Sequence, residues 1–270
     1  MLKKIRETST FIQEASGLKA EIGIILGTGL GGLVREIEIH QTLSYTEIPN
    51  FPVSTVEGHQ GKLIFGKLGG KNIMAMQGRF HFYEGYDMHT VTFPVRVMND
   101  MGIKSLFVSN ASGGLNPAFK VGDIMMITDH INMFGANPLT GPNLEELGPR
   151  FPDMSQVYDL NMQEIARTIA IKNHIVLKEG VYTGVAGPTF ETPAEYKMFR
   201  ILGGDAIGMS TVPEVIVARH MGMRVFGISI ITDSGVPGEI VEISHEEVQK
   251  VASEAEPRMS QIIKELISSV

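Results

Sequence analysis

Five short apolar runs in this chain break off into Gly, Ser, Thr, Asn or a single carboxylate, near residues 27, 110, 190, 208 and 232. A short run of apolar and β-branched residues bounded by such breakers reads as a strand buried on both faces, which requires a sheet covered by helices on each side. Strand ends of that composition, set side by side, assemble a pocket along one edge of the sheet. The fullest example is SLFVSNASGGLNP at residues 105–117. Leu106, Phe107 and Val108 predict a strand. Asn110, Ala111, Ser112, Gly113 and Gly114 predict a loop at its carboxyl end, with backbone N–H groups open to a small anion or a flat ring. Alone, the stretch also reads as a tight turn whose Asn and Gly serve the backbone. The agreement of five strand ends favours a site.

The remaining pattern supplies the helices and the other strands. Residues 2–16 have apolar positions at helical spacing and stop at Gly17, residues 61–77 form a hairpin turning at Gly69 and Gly70, and residues 88–101 read as one helix packing Val91, Val95, Val97 and Met98 inward. Residues 123–131 and 175–187 are strand-like, residues 161–172 are helical, and 135–153 are rich in Gly, Pro and Asn. So long a loop in a compact domain is usually functional or at an interface. Thr192 and Pro193 start a helix, residues 213–221 form another, and Ser244 with Glu247 makes a capping box for the last one.

Composition excludes several classes. The net charge of −7 shows no basic surface for a nucleic-acid backbone, so any anion site must be local. The chain has no cysteine, which removes disulfides and thiolate metal sites and fits a reducing compartment. No signal-like segment and no stretch of about 18 apolar residues is present, so no membrane association and a cytoplasmic location are expected. No linker, repeat or low-complexity tract divides the 270 residues.

Two stretches hold candidate anion ligands. Residues 27–32, GTGLGG, satisfy G-x-G-x-x-G after a strand, but the following segment, 33–39, is short for a crossover helix and no acidic residue stands where a ribose partner is needed. The same glycines, with the Thr28 hydroxyl, suit an inorganic anion. In residues 78–86, GRFHFYEGY, alternation puts Arg79, His81 and Tyr83 on one side of an extended segment, a clamp for an oxyanion. A solvated hairpin end with an incidental charge is the alternative for that stretch.

Taken together, GTGLG (27–31), GRFHFYEGY (78–86), SNASGGLNP (109–117), GPTFET (187–192), GMSTVPEVIVARH (208–220) and SHEEV (244–248) resemble the trimeric class of purine nucleoside phosphorylases, in the same order over essentially the whole chain. The resemblance implies an α/β fold of the phosphorylase/hydrolase-like kind, a single domain over residues 1–270 with a twisted mixed β-sheet flanked by helices, assembled as a homotrimer. It also implies reversible phosphorolysis of purine ribo- or deoxyribonucleosides, inosine and guanosine foremost, to free base and (deoxy)ribose 1-phosphate in purine salvage. No metal or organic cofactor is implied, and inorganic phosphate is the co-substrate. Carried over residue by residue, phosphate meets Thr28, His59, Arg79, His81, the Ala111 N–H and Ser210. The ribose lies among Tyr83, Met209 and His245, with Phe151 contributed by a neighbouring subunit. The base lies near Ala111, Phe190, Glu191, Ile207, Thr232 and Asp233. Asp233, Glu191 and His81 are the groups expected to act in catalysis.

One position departs from the resemblance. Family members restricted to 6-oxopurines have asparagine where this chain has Asp233, and an ionised Asp has no proton to donate to N7 or O6. Either burial raises its pKa and it donates, which also admits the 6-amino group of adenosine, or it points elsewhere and leaves selection to Thr232 and Glu191. The rival readings are a methylthioadenosine phosphorylase, an adenosine-accepting phosphorylase, and a non-catalytic Rossmann-type nucleotide-binding module built on residues 27–32. The donor His245 at the 5′ group argues against the first of these.

Overall fold

The structure, a computed structural model, describes residues 1–28, 31–53 and 60–270. The described residues form a nine-stranded mixed sheet in the order β2-β3-β4-β1-β5-β8-β7-β6-β9. β1 (Ile22–Leu26) pairs in parallel with β4 (Lys71–Gln77) and with the first half of β5 (Ser105–Gly114), and all five of its residues are buried. β2 (Glu38–Ser44) and β3 (Lys62–Leu68) extend one edge antiparallel.

Toward the other edge the sheet closes on itself. β5 pairs in parallel with β9 (Arg224–Ser234) along its whole length, while Gly113 and Gly114 pair antiparallel with β8 (Ala206–Gly208). β8 continues to β7 (Leu177–Val185), β7 to β6 (Ile124–Met133), and β6 back to β9. Five strands therefore make a barrel-like ring, and an open sheet describes only the other part.

That closure corrects the reading of residues 110–114, which continue β5 and do not form a loop. Their small side chains permit close approach of strands rather than a turn. A Cβ on Gly113 would stand 2.8 Å from Asp233 Oδ2, and one on Gly114 would stand 2.9 Å from Ile231 Cγ2. Gly27, at the end of β1, faces the Ser109 carbonyl in the same way, its Cβ position being 2.7 Å from that oxygen. The register of β5 against β9 shifts between Ser112 and Gly113, so that Thr232 is an extra residue in β9. A bulge of this kind bends the strand and re-aims the side chains beside it, here Thr232 and Asp233.

Helices cover both faces. α1 (Leu2–Ser16), α3 (Phe93–Asp100) and α6 (Val212–His220) pack Ile5, Ile12, Val95, Val97 and Val215 on one side. α4 (Leu160–Lys172) and α7 (His245–Ser269) pack Met162, Ala166, Met259 and Ile262 on the other. α5 (Pro193–Ile201) sets Tyr196 and Phe199 against Leu115 and Ile207 at the mouth of the ring. The single helix expected over 88–101 is two pieces, α2 (Met88–Val91) and α3, because the Thr92 hydroxyl donates to the Met88 carbonyl at 2.7 Å and Pro94 opens a new turn. Residues 33–39 hold a short 3₁₀ turn (Gly31–Glu36) and the start of β2, whose mostly exposed side chains gave no apolar alternation to read.

Candidate active site

At the end of the sheet where β1, β5, β8 and β9 finish lies a cleft of about 660 Å³, open to solvent.

One end of the cleft is built around Arg79. Its Nη1 donates to the Ser109 carbonyl at 3.0 Å and to Ser210 Oγ at 2.9 Å, and its Nε lies 3.1 Å from Glu214 Oε1. Arg79 is 1% and Glu214 3% exposed, so the ion pair is buried and each partner depends on the other. Ser210 reaches this position through a strained turn. Thr211 has φ 72 and ψ −55, and the Val212 N–H donates to the Ser210 carbonyl at 2.8 Å, which is a γ-turn of the uncommon hand. Asn110 holds the turn by donating to Thr211 Oγ1 at 2.8 Å. His81 stands beside this end, its Nδ1 at 3.2 Å from Glu84 Oε1 and its ring stacked at 4.7 Å on Tyr83. Burial holds the His81 pKa below its usual value despite Glu84, so the imidazole is neutral at pH 7. Donation to the Glu84 carboxylate then places the proton on Nδ1. Thr28 and Ala111 complete this wall.

The opposite end holds two carboxyls. Asp233 Oδ1 accepts from Thr232 Oγ1 at 3.0 Å and Oδ2 from the Tyr196 hydroxyl at 3.3 Å. Burial is the main cause that raises its pKa, against the lowering effect of those two donors. Burial also pushes Glu191 from 4.5 up to about 7, with the Asp233 charge adding to the rise. Phe190 and Ile207 give this end its apolar walls. The lining also includes Tyr83, Met209 and His245, the first residue of α7. His245 Nε2 is buried with no hydrogen-bond partner among the described residues. Gly208 is required here, since a Cβ would stand 2.4 Å from the Tyr182 hydroxyl.

A buried chain of hydrogen bonds ties the two ends together. Ser229 Oγ donates to Asn110 Oδ1 at 2.6 Å and lies 2.6 Å from Ser112 Oγ, while Thr232 Oγ1, whose one proton can go to Asp233 or to the Ser112 carbonyl, lies 3.3 Å from that carbonyl. The cleft therefore brings together the expected residues Thr28, Arg79, His81, Tyr83, Ala111, Phe190, Glu191, Ile207, Met209, Ser210, Thr232, Asp233 and His245. His59 lies outside the described residues. Phe151 does not line this cleft. It is 88% exposed on the loop before α4 and borders a separate hollow with His130 and Leu139. Sequence reading missed Glu214, Thr211, Tyr182 and Tyr196. A carboxylate inside the apolar run VPEVIVA was the available signal for Glu214, and none existed for the others. Among the described residues no cluster of three or more His, Asp or Glu side chains is placed to hold a metal ion.

The arginine, serine and histidine at one end of the cleft are groups that suit an anion, and the carboxyls at the other are groups that suit a ring with hydrogen-bonding edges. The sequence profile of the phosphorylase superfamily matches residues 21–268. Purine nucleoside phosphorylase 1 of Bacillus subtilis is 50% identical over 99% of this chain and 99% of its own length. Isoform 2 of the Schistosoma mansoni purine nucleoside phosphorylase, solved with cytosine and ribose-1-phosphate, superposes with a TM-score of 0.95 at 42% identity over 99% of this chain and 96% of that one. A Schistosoma mansoni enzyme solved with adenosine gives 0.94 at 41% identity, covering 100% of this chain and 98% of that one. The chain belongs to the phosphorylase superfamily, and within it to the purine nucleoside phosphorylases.

Proposed function

We propose that the cleft binds phosphate at Arg79 and a purine at Glu191 and Asp233, and carries out reversible phosphorolysis of purine (deoxy)ribonucleosides. The carrying observation is that a buried arginine with a serine turned onto it stands at one end of a single cleft and two half-buried carboxyls stand at the other. Breaking the bond from C1′ to N9 puts positive charge on the sugar and negative charge on the departing base, and both must be met by groups already in place. Phosphate held by Arg79, Ser210, Thr28, His81 and the Ala111 N–H attacks C1′, and its charge faces the developing cation. His59 joins this set. No enzyme nucleophile is needed, since the gain comes from fixing phosphate under C1′. Tyr83, Met209 and His245 hold the sugar, with the buried Nε2 of His245 available to the 5′-hydroxyl.

At the base end Glu191 accepts from N1–H, Thr232 and Asp233 face N7 and O6, and Ala111, Phe190 and Ile207 flank the ring. A protonated Asp233 gives its proton to N7 as the bond electrons enter the purine. Inosine and guanosine are the expected substrates, with adenosine admitted. Phosphate is the only co-substrate, and no organic cofactor or metal takes part. The assembly is a homotrimer in the cytoplasm, in which Phe151 covers a neighbour's sugar; its exposure on the long loop supports this. Incubation with inosine and phosphate should release hypoxanthine, and omission of phosphate should abolish the release. Hypoxanthine formed equally without phosphate, or none formed with it, overturns the reading.

A further inference from the structure

Beside the base end lies a second hollow, of about 1340 Å³ and open to solvent. Phe190, Glu191, Thr232 and Asp233 line both it and the cleft, so the two spaces share one wall. On the proposed function that wall faces N1, N7 and the 6-position of the base, and the exocyclic 6-atom is the part of the purine that stands between Glu191 and Asp233. The hollow is therefore where a group carried on that atom would go. Val121, Ile240, Val241, Ile243 and Val251 give it an apolar floor, on which Val121 is 52% and Val241 75% exposed. Exposed apolar side chains grouped in one place mark a surface that receives an apolar group. The rim holds Glu239, Glu242, Glu247 and Glu254 against one cation, Lys250. The Ser234 hydroxyl donates to Glu239 and the Ser244 N–H to Glu247, both at 2.8 Å, while Glu242 and Glu254 are exposed.

We propose that this hollow is an extension of the base end that takes an apolar substituent, tipped by a cation, on the exocyclic 6-atom of a bound purine. The inference rests on the purine reading of the cleft. A purine carrying a secondary amine at position 6 keeps one N–H, which an Asp233 oxygen can accept. Its N1 is an acceptor and meets Glu191 in the protonated form, which burial favours by raising that carboxyl to about 7. Of the shared wall, Phe190 is 43% exposed and can swing aside, whereas the Tyr196 hydroxyl, 3.3 Å from Oδ2, holds Asp233 in place to receive the N–H. The stem of the substituent then lies along the apolar floor and its tip among the rim carboxylates. An anionic tip would meet like charge at the same place.

The test is calorimetric binding, at low salt, of hypoxanthine, adenine, N6-(4-aminobutyl)adenine and N6-(3-carboxypropyl)adenine to the native chain and to two variants. Val251→Trp fills the hollow from α7 at a half-buried position that does not line the cleft. Glu254→Lys changes the charge of the rim at an exposed position on the same helix. The native chain should bind the aminobutyl base at least about tenfold more tightly than adenine, the worth of roughly two buried methylenes, and the carboxypropyl base more weakly than the aminobutyl one. Val251→Trp should bind adenine as the native chain does and lose about tenfold for the aminobutyl base. Glu254→Lys should narrow or reverse the preference between the two tips, and it decides where the Trp variant does not fold. An aminobutyl base bound more weakly than adenine, a carboxypropyl base bound as tightly as the aminobutyl one, or native affinities in both variants overturns the proposal. Hypoxanthine binding without any of the three adenines also overturns it and leaves the purine reading standing, whereas binding of no base removes both.

Discussion

Replacing Glu214 with glutamine keeps the shape of the side chain and removes the charge that faces Arg79. The two lie 3.1 Å apart at 1% and 3% exposure, so the arginine would be left as a buried cation without a counter-charge. Breaking one side of such a pair costs about 3–5 kcal/mol. The amide oxygen of glutamine can still accept from Nε, which puts Glu214→Gln near the lower figure. At roughly 2–4 °C per kcal/mol for a chain of this size, the melting temperature should fall by about 10 °C. Phosphate then becomes the diagnostic. A ligand at about 100 times its Kd stabilises the folded form by about 2.7 kcal/mol. In the variant the dianion also supplies the missing counter-charge, so saturating phosphate should raise its melting temperature by more than it raises that of the native chain. Thermal denaturation with and without phosphate measures both differences. Equal phosphate-induced rises in the two proteins would show that the anion does not bind beside Arg79, and a loss below about 1 kcal/mol would show that the pair is solvated.

Asp233→Asn removes the proton that the carboxyl can hold, and should lower the adenosine-to-inosine ratio of kcat/KM by at least about tenfold; an unchanged ratio in initial-rate assays means that Asp233 does not read the 6-position. Glu191 is raised by burial from 4.5 to about 7 in the folded chain. The folded form thus holds this proton more tightly than the unfolded form, so the associated stability is full below pH 4.5 and is lost as pH rises through about 7. Melting temperatures across that window should fall less for Glu191→Gln than for the native protein, and parallel curves would contradict the burial argument. Phe151→Ala should leave the melting temperature unchanged, because the side chain is 88% exposed, yet raise KM for the nucleoside if it covers a neighbour's sugar. A fully active monomer in sedimentation would exclude that role.

What could be read from the sequence was local. The caps at Thr192 and Ser244 recur in the structure as full capping boxes, because a cap is decided by residues within one turn. The hairpin at Gly69 and Gly70 and the strands β1, β5 and β9 were legible from short apolar runs for the same reason. β2 was not, since its side chains are mostly exposed and carry no alternation. The ring of five strands was not legible either. It arises where β5 meets β8 and β9, partners about a hundred residues away, and the glycines that allow it look identical in sequence to turn glycines.

The ring also explains why a string of weak motifs adds up to one site. Since β5 continues through Asn110 and Ser112, those side chains become rigid members of the sheet and bond Thr211 and Ser229. A flexible loop at that position would leave the Thr211 turn unsupported, and its positive φ is a conformation that persists only where neighbours enforce it. The strain places Ser210 on Arg79, while the bulge at Thr232, on the strand paired to β5, places Asp233 at the far end. Both ends of the cleft are thus positioned by one strand. The distance between the two ends of the cleft is therefore set by β5 itself, and on the proposed function a substitution such as Gly113→Ala, whose Cβ would stand 2.8 Å from Asp233 Oδ2, should depress turnover of every nucleoside while leaving phosphate binding intact. Loss of phosphate-induced stabilisation in that variant would show that the two ends are not separately held.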